Sequence, residues 1–235
     1  MVLRKLRHVA PPLRVARAPM LFAIVAAAQA AELTPALALP SAVALEAGGG
    51  QAALGAVVSG GATPVASVTL RGAVGITDRL AVSGALREPW GGLLLGLRYN
   101  VVETDGFRLA PYAFATVDDD LVTFAPSEAR LALAAGVGVA LEGGGESFRY
   151  DLSLPLVASN VDPLASPLRV PFAGATLGVS VRVASRHVVR VGVESTFAPG
   201  ITWRYARERW YLQATGAYSL VQIAPVAHAE VGLRF

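Results

Sequence analysis

The sequence predicts an all-β chain, folded as a closed antiparallel transmembrane β-barrel of about twelve strands, with ten as the smaller count that its turns allow. Three observations predict it. Apolar residues recur at every second position through most of the chain, which is the period of a strand with one apolar and one wettable face. The connections between these segments alternate between short and long. The composition is 54% hydrophobic, yet beyond the N-terminal leader no apolar run approaches the roughly 20 residues that a membrane helix needs.

The leader comes first in order. Residues 1–19 carry Arg4, Lys5, Arg7, Arg14 and Arg17 and no acid, residues 20–28 read MLFAIVAAA, and Ala28-Gln29-Ala30 is a small-x-small site. These are the parts of a secretory signal peptide, and the apolar run, at about 1.5 Å per residue, is too short to cross a bilayer as a helix. Cleavage is expected after Ala30, with Ala38 as the second choice. Residues 31–41 then form a short N-terminal segment and 42–235 the barrel. The whole chain carries a net charge of +3, but residues 1–30 hold five of the 20 basic residues and none of the 17 acids, so 15 against 17 leaves −2 for the remainder. The basic character belongs to the leader, and nothing recommends nucleic acid as a partner. With no cysteine, an exported chain relies on backbone pairing and packing instead of disulfides.

Turn residues divide the remainder into strands at 42–59, 65–77, 79–88, 92–103, 106–117, 128–142, 147–158, 171–184, 187–197, 200–206, 209–219 and 226–235. The first is the least sharply marked. In the second, Val68, Leu70, Val74 and Ile76 oppose Ser67, Thr69 and Arg71. In the fourth, Leu93, Leu95, Leu97 and Tyr99 oppose Gly96, Arg98 and Asn100. Leu131, Leu133, Val137, Val139 and Leu141 alternate with Ala and Gly, and Phe148, Tyr150, Leu152 and Leu154 with Arg149, Asp151 and Ser153. Leu177, Val179, Val181 and Val183 oppose Gly178, Ser180 and Arg182. In RWYLQATGAYSL (209–220), Trp210, Leu212, Ala214 and Tyr218 share one parity, and Arg209, Gln213, Thr215 and Ser219 the other. Strands buried on both faces would not alternate in this way.

The even-numbered connections are tight: Thr77-Asp78, Thr104-Asp105, 143–146, Ser185-Arg186 and Arg207-Glu208. Several odd-numbered ones are long, at 118–127, 159–170 and 220–225. Short turns at one end and longer loops at the other mark a bacterial outer-membrane barrel, with the short turns in the periplasm and the long loops extracellular. Tyr99, Phe107, Phe148, Tyr150, Trp203, Tyr205, Trp210 and Phe235 all lie close to the short-turn or terminal end, where an interfacial aromatic girdle belongs.

Two segments carry a resemblance. The final strand AEVGLRF (229–235), with Val231, Leu233 and terminal Phe235 on the apolar parity, resembles the C-terminal assembly signal of Gram-negative outer-membrane β-barrel proteins of the porin-like class, and GITDRLAVSG (75–84) is similar to a hairpin common among them. The resemblance implies a bacterial outer-membrane location, outer-membrane lipids as surroundings, and recognition of the last strand by the barrel-assembly machinery. It implies too that the last strand closes the barrel against the first, leaving no unpaired edge in lipid.

If the apolar parity faces lipid, the other lines the interior. On it fall Arg71, Arg87, Arg98, Arg108, Arg130, Arg149, Arg182, Arg190, Arg204, Arg209 and Arg234, against Glu142, Asp151, Glu194 and Glu230. Such a basic lining suits a passive path for small anionic solutes. The same residues would equally form a plug of interlocked Arg–carboxylate pairs, giving a non-conducting barrel that acts through its loops in structure, adhesion or assembly. A third reading is an outer-membrane hydrolase built on His228, Glu230 and a serine such as Ser219, although a lumenal histidine beside a carboxylate is more often structural. His187 and His228 lie in no metal-ligand spacing. Asp118-Asp119-Asp120 lacks the alternate spacing of a calcium loop, and no cofactor motif is present.

Overall fold

The computed structural model describes residues 47–60, 65–88, 92–119, 131–160, 175–193, 198–220 and 224–235. The expected signal peptide, the N-terminal segment and most of the long connections lie outside the described residues. Thirteen strands follow in order: β1 (Gly50–Ser59), β2 (Val65–Gly75), β3 (Leu80–Glu88), β4 (Gly92–Tyr99), β5 (Val102–Thr104), β6 (Phe107–Asp119), β7 (Leu131–Gly144), β8 (Phe148–Ser159), β9 (Thr176–Ala184), β10 (His187–Val193), β11 (Pro199–Ala206), β12 (Trp210–Ser219) and β13 (Ala224–Arg234). Every pairing is antiparallel. Sequence neighbours pair in turn, β1 pairs with β13, and β4 with β6, so the sheet closes on itself.

The expected fourth strand is split in two. Arg98 pairs with Tyr112 and Val102 with Leu109, so the register slips by one residue across Asn100 and Val101. This is a β-bulge, and β4 and β5 form a single stave of a twelve-stave barrel. Carried around the ring, the pairing offsets accumulate to a stagger of about 14 residues, which for twelve staves corresponds to a tilt of about 40° and a backbone radius of about 11 Å. A bore of that size is within reach of long side chains from its own wall.

β1 starts at Gly50, later than expected, because the glycine run ahead of it makes a turn. Gly48 takes a φ of 80°, and its N–H donates to the Gly75 carbonyl at 2.9 Å. All five short connections join their strands where expected, at the end of the barrel that also holds Gly50 and Phe235.

Alternation decides which side chains meet lipid. Within β4, Leu93 and Leu95 are 40% and 55% exposed on the outer surface, whereas Leu94 between them is 2% exposed and points into the barrel. The outward face of the other strands is likewise aliphatic, with Leu54, Leu70, Val82, Val137, Leu156, Val179, Ile201 and Leu233 among the exposed residues. No helix among the described residues is long and apolar enough to cross a membrane. An apolar band on a closed barrel satisfies every wall N–H and C=O by strand pairing, which is the condition for crossing lipid with strands.

The chain end completes the ring. The Gly50 N–H donates to the Phe235 carbonyl at 2.7 Å, and the Phe235 N–H donates to the Gly50 carbonyl at 3.0 Å. The Phe235 ring lies where a Cβ on Gly50 would stand, so the glycine gives the ring its seat over the β1–β13 seam.

Candidate functional site: the lumen

The inward parity places Arg71, Arg98, Arg108, Arg149, Arg182, Arg190, Arg204 and Arg234 inside, with Glu142, Asp151 and Glu230. Arg209 stands instead in the β11–β12 turn, because β12 begins only at Trp210, and its side chain is exposed at the short-turn mouth. Arg130, Glu194 and the side chain of Arg87 lie outside the described residues.

Two of the ion pairs follow one design. Arg190 on β10 reaches across β9 to Asp151 on β8, with Nε to Oδ1 at 2.9 Å and Nη2 to Oδ2 at 2.6 Å. Its guanidinium occupies the place of a Cβ on Gly178, so only glycine on the intervening strand lets the pair form. Arg71 on β2 reaches across β1 at Gly55 to β13, where Nη2 lies 2.7 Å from Glu230 Oε2 and 2.8 Å from His228 Nε2. A Cβ on Gly55 would collide with that histidine nitrogen. Both pairs are buried and run along the wall, and the two-point Arg190–Asp151 contact is the stronger sort of charge-assisted bond. Nearer the mouth, Arg149 meets Glu142 at 3.4 Å, Arg108 meets Glu103 at 3.1 Å, and Arg182 meets Glu146 at 3.6 Å.

An arginine only donates, so His228 Nε2 must accept from Arg71 and its proton sits on Nδ1, which is buried without a partner. Ser219 pairs with Ala224 at the start of β13, four residues and about 13 Å of strand from His228. That separation takes Ser219 out of reach of His228, which braces the barrel seam together with Glu230. His187 faces outward, where its Nδ1 accepts from Trp203 Nε1 at 3.2 Å and its ring lies 5.1 Å from that of Tyr205, inside the aromatic girdle.

One sector of the lumen was not evident in the sequence pattern. Ala85, Leu94, Tyr112, Phe114 and Ala140 form a buried cluster with Val157 against it, the Tyr112 and Phe114 rings stack at 6.3 Å, and the Tyr112 hydroxyl bonds Ser153 Oγ at 2.8 Å. The aromatics of β6 break the rule that apolar residues face out. The available signal was Arg108: counting from it by twos reaches Ala110, Tyr112, Phe114 and Thr116. On β9 to β12, the inward positions Ser180, Gly192, Gly200, Thr202, Arg204, Gln213 and Ala217 remain partly accessible. The interior thus combines a packed apolar and ion-paired wall with a polar, partly open one.

A closed antiparallel barrel, greased outside, charged inside and short-turned at the end bearing its C-terminus, defines the outer-membrane β-barrel class. No protein-family model and no curated protein matches the chain. Among solved structures it is similar to the KdgM porin, with a TM-score of 0.55 and 8% identity over 78% of this chain and 99% of that one. It is similar also to the COG4313 outer membrane channel from Pseudomonas putida F1, with a TM-score of 0.51 and 14% identity over 82% of this chain and 97% of that one. The KdgM porin in complex with disordered oligogalacturonate matches with a TM-score of 0.54 and 9% identity over 79% and 98%. At these identities the likeness is one of fold: a porin-like barrel of the bacterial outer membrane.

Proposed function

We propose that the protein is a passive outer-membrane channel for small solutes, with a preference for anions. The observation that carries this reading is the charge balance of the inward face. Eight guanidinium groups, those of Arg71, Arg98, Arg108, Arg149, Arg182, Arg190, Arg204 and Arg234, face inward against the carboxylates of Glu142, Asp151 and Glu230 among the described residues. Adding Glu103 and Glu146, which pair with Arg108 and Arg182, still leaves eight against five. A lumen with this excess raises the local concentration of anions and repels cations. The porin and channel names of similar barrels agree with the reading, and so does the partial accessibility of the polar β9–β12 wall. The partners on this reading are membrane lipids around the wall, the barrel-assembly machinery during insertion, and small solutes in the bore.

A specific observation favours a second reading, a non-conducting barrel that acts through its loops. Arg71, Glu230, Arg190, Asp151, Leu94 and Tyr112 are all buried inside the barrel, as in a lumen filled by its own side chains. Liposome swelling separates the two. Vesicles carrying the purified barrel should swell in isotonic arabinose and, with valinomycin supplying the potassium path, faster still in potassium gluconate. Swelling no faster than in protein-free vesicles would support the filled barrel.

A further inference from the structure

Seven of the eight lumenal arginines fall into two sets; the eighth, Arg98, is buried within electrostatic reach of Glu142 and Glu103. Arg71, Arg190, Arg149, Arg108 and Arg182 each face a carboxylate within 4 Å. Arg204 and Arg234 face none among the described residues. These two share an aromatic ring instead: the guanidinium carbon of Arg204 lies 4.0 Å from the centre of the Tyr211 ring, and that of Arg234 lies 5.9 Å from the same centre. Tyr211 is 5% exposed and points into the barrel, where its hydroxyl bonds Glu230, a carboxylate that Arg71 engages at 2.7 Å and that lies within electrostatic reach of Arg204.

We propose that Arg204 and Arg234, braced by Tyr211, form a binding station for a small oxyanion, a carboxylate or phosphate, at the short-turn mouth of the lumen. A guanidinium stacked on a ring uses its π face and keeps its in-plane N–H donors free for a bidentate contact. Arg204 Nε is one such donor, buried and without a hydrogen-bond partner. The strand register brings neutral donors alongside, since Gln213 stands opposite Arg204 and Gln51 opposite Arg234. All these groups face inward, so the barrel wall separates them from lipid headgroups and the ligand must arrive through the bore. A station of this kind would hold a permeating anion briefly at the exit of the path.

The inference rests on the reading of the lumen as an anion path, and a binding measurement separates the two. Folded full-length barrel in neutral detergent is titrated with inorganic phosphate by calorimetry, and the same preparation is examined in planar bilayers. Saturable binding is expected, weakened at least tenfold in Arg204→Gln/Arg234→Gln and unchanged in Arg79→Gln, an exposed arginine of the β2–β3 turn outside the lumen. Arg204→Lys, which keeps the charge and loses the fork, should fall between, and it serves if the double variant does not fold. Equal phosphate binding by wild type and the double variant, or none by either, would overturn the station. Binding without conductance would contradict the channel and leave the station standing, whereas anion-selective current without phosphate binding would remove the station alone.

Discussion

At the scale of single residues, the lumen shows why glycine and arginine recur together. An Arg side chain reaches a carboxylate two strands away only if the strand between carries no Cβ, and Gly178 supplies that gap for Arg190 and Asp151. Removing Asp151 takes the two-point contact from the buried Arg190 guanidinium, so Asp151→Ala should destabilise the barrel by about 3 kcal/mol in denaturant unfolding from detergent micelles. Gly178→Val should cost a similar amount while leaving both charges in place, because its side chain displaces the guanidinium. Replacing both charges, as in Arg190→Met/Asp151→Leu, should recover most of the loss, since an apolar pair of similar size removes both buried charges together. A change within about 0.5 kcal/mol for Asp151→Ala, the scale of a surface substitution, would show that water reaches the pair.

At the scale of elements, β13 does the most. It pairs with β1 from Gln51 and Arg234 to Ser59 and Val226, supplies His228 and Glu230 to the buried brace, and ends on Phe235 above Gly50. Deleting Phe235, or changing it to Asp, should lower the yield of folded barrel in cells by slowing insertion, since a charge near the interface costs only about 0 to 1 kcal/mol at equilibrium. Pulse-chase labelling reads this as delayed appearance of the compact form, and a wild-type rate from the deletion would contradict it. This strand was also among the most legible, because its alternation is strict and its partner follows from closure. The same held for the short turns and for the outward Leu, Val and Ile. The interior was harder to read. Pairs such as Arg190–Asp151 depend on register across a third strand, which no local pattern encodes, and in β6 the inward Tyr112 and Phe114 resemble an outward face until Arg108 is used to fix the phase. Asn100 and Val101 carry no Gly or Pro to announce the bulge that splits the fourth stave.

At the scale of the molecule, the outward aliphatic band and the closed ring place the chain in the outer membrane. Fractionation should recover it there, running faster on a gel before heating than after, because an unboiled barrel stays compact in detergent. Recovery in the soluble periplasm would contradict the fold's placement in lipid. An anion path set by the inward arginine excess, as proposed, is tested most directly by the zero-current potential of the purified barrel in a planar bilayer under a KCl gradient. The potential should lie on the chloride side and move towards zero as total salt rises, since the screening length falls from about 10 Å at 0.1 M to about 3 Å at 1 M. Arg204→Glu/Arg234→Glu should shift it towards potassium. A wild-type potential on the potassium side, or a barrel that inserts and passes no current at any salt, would contradict the account.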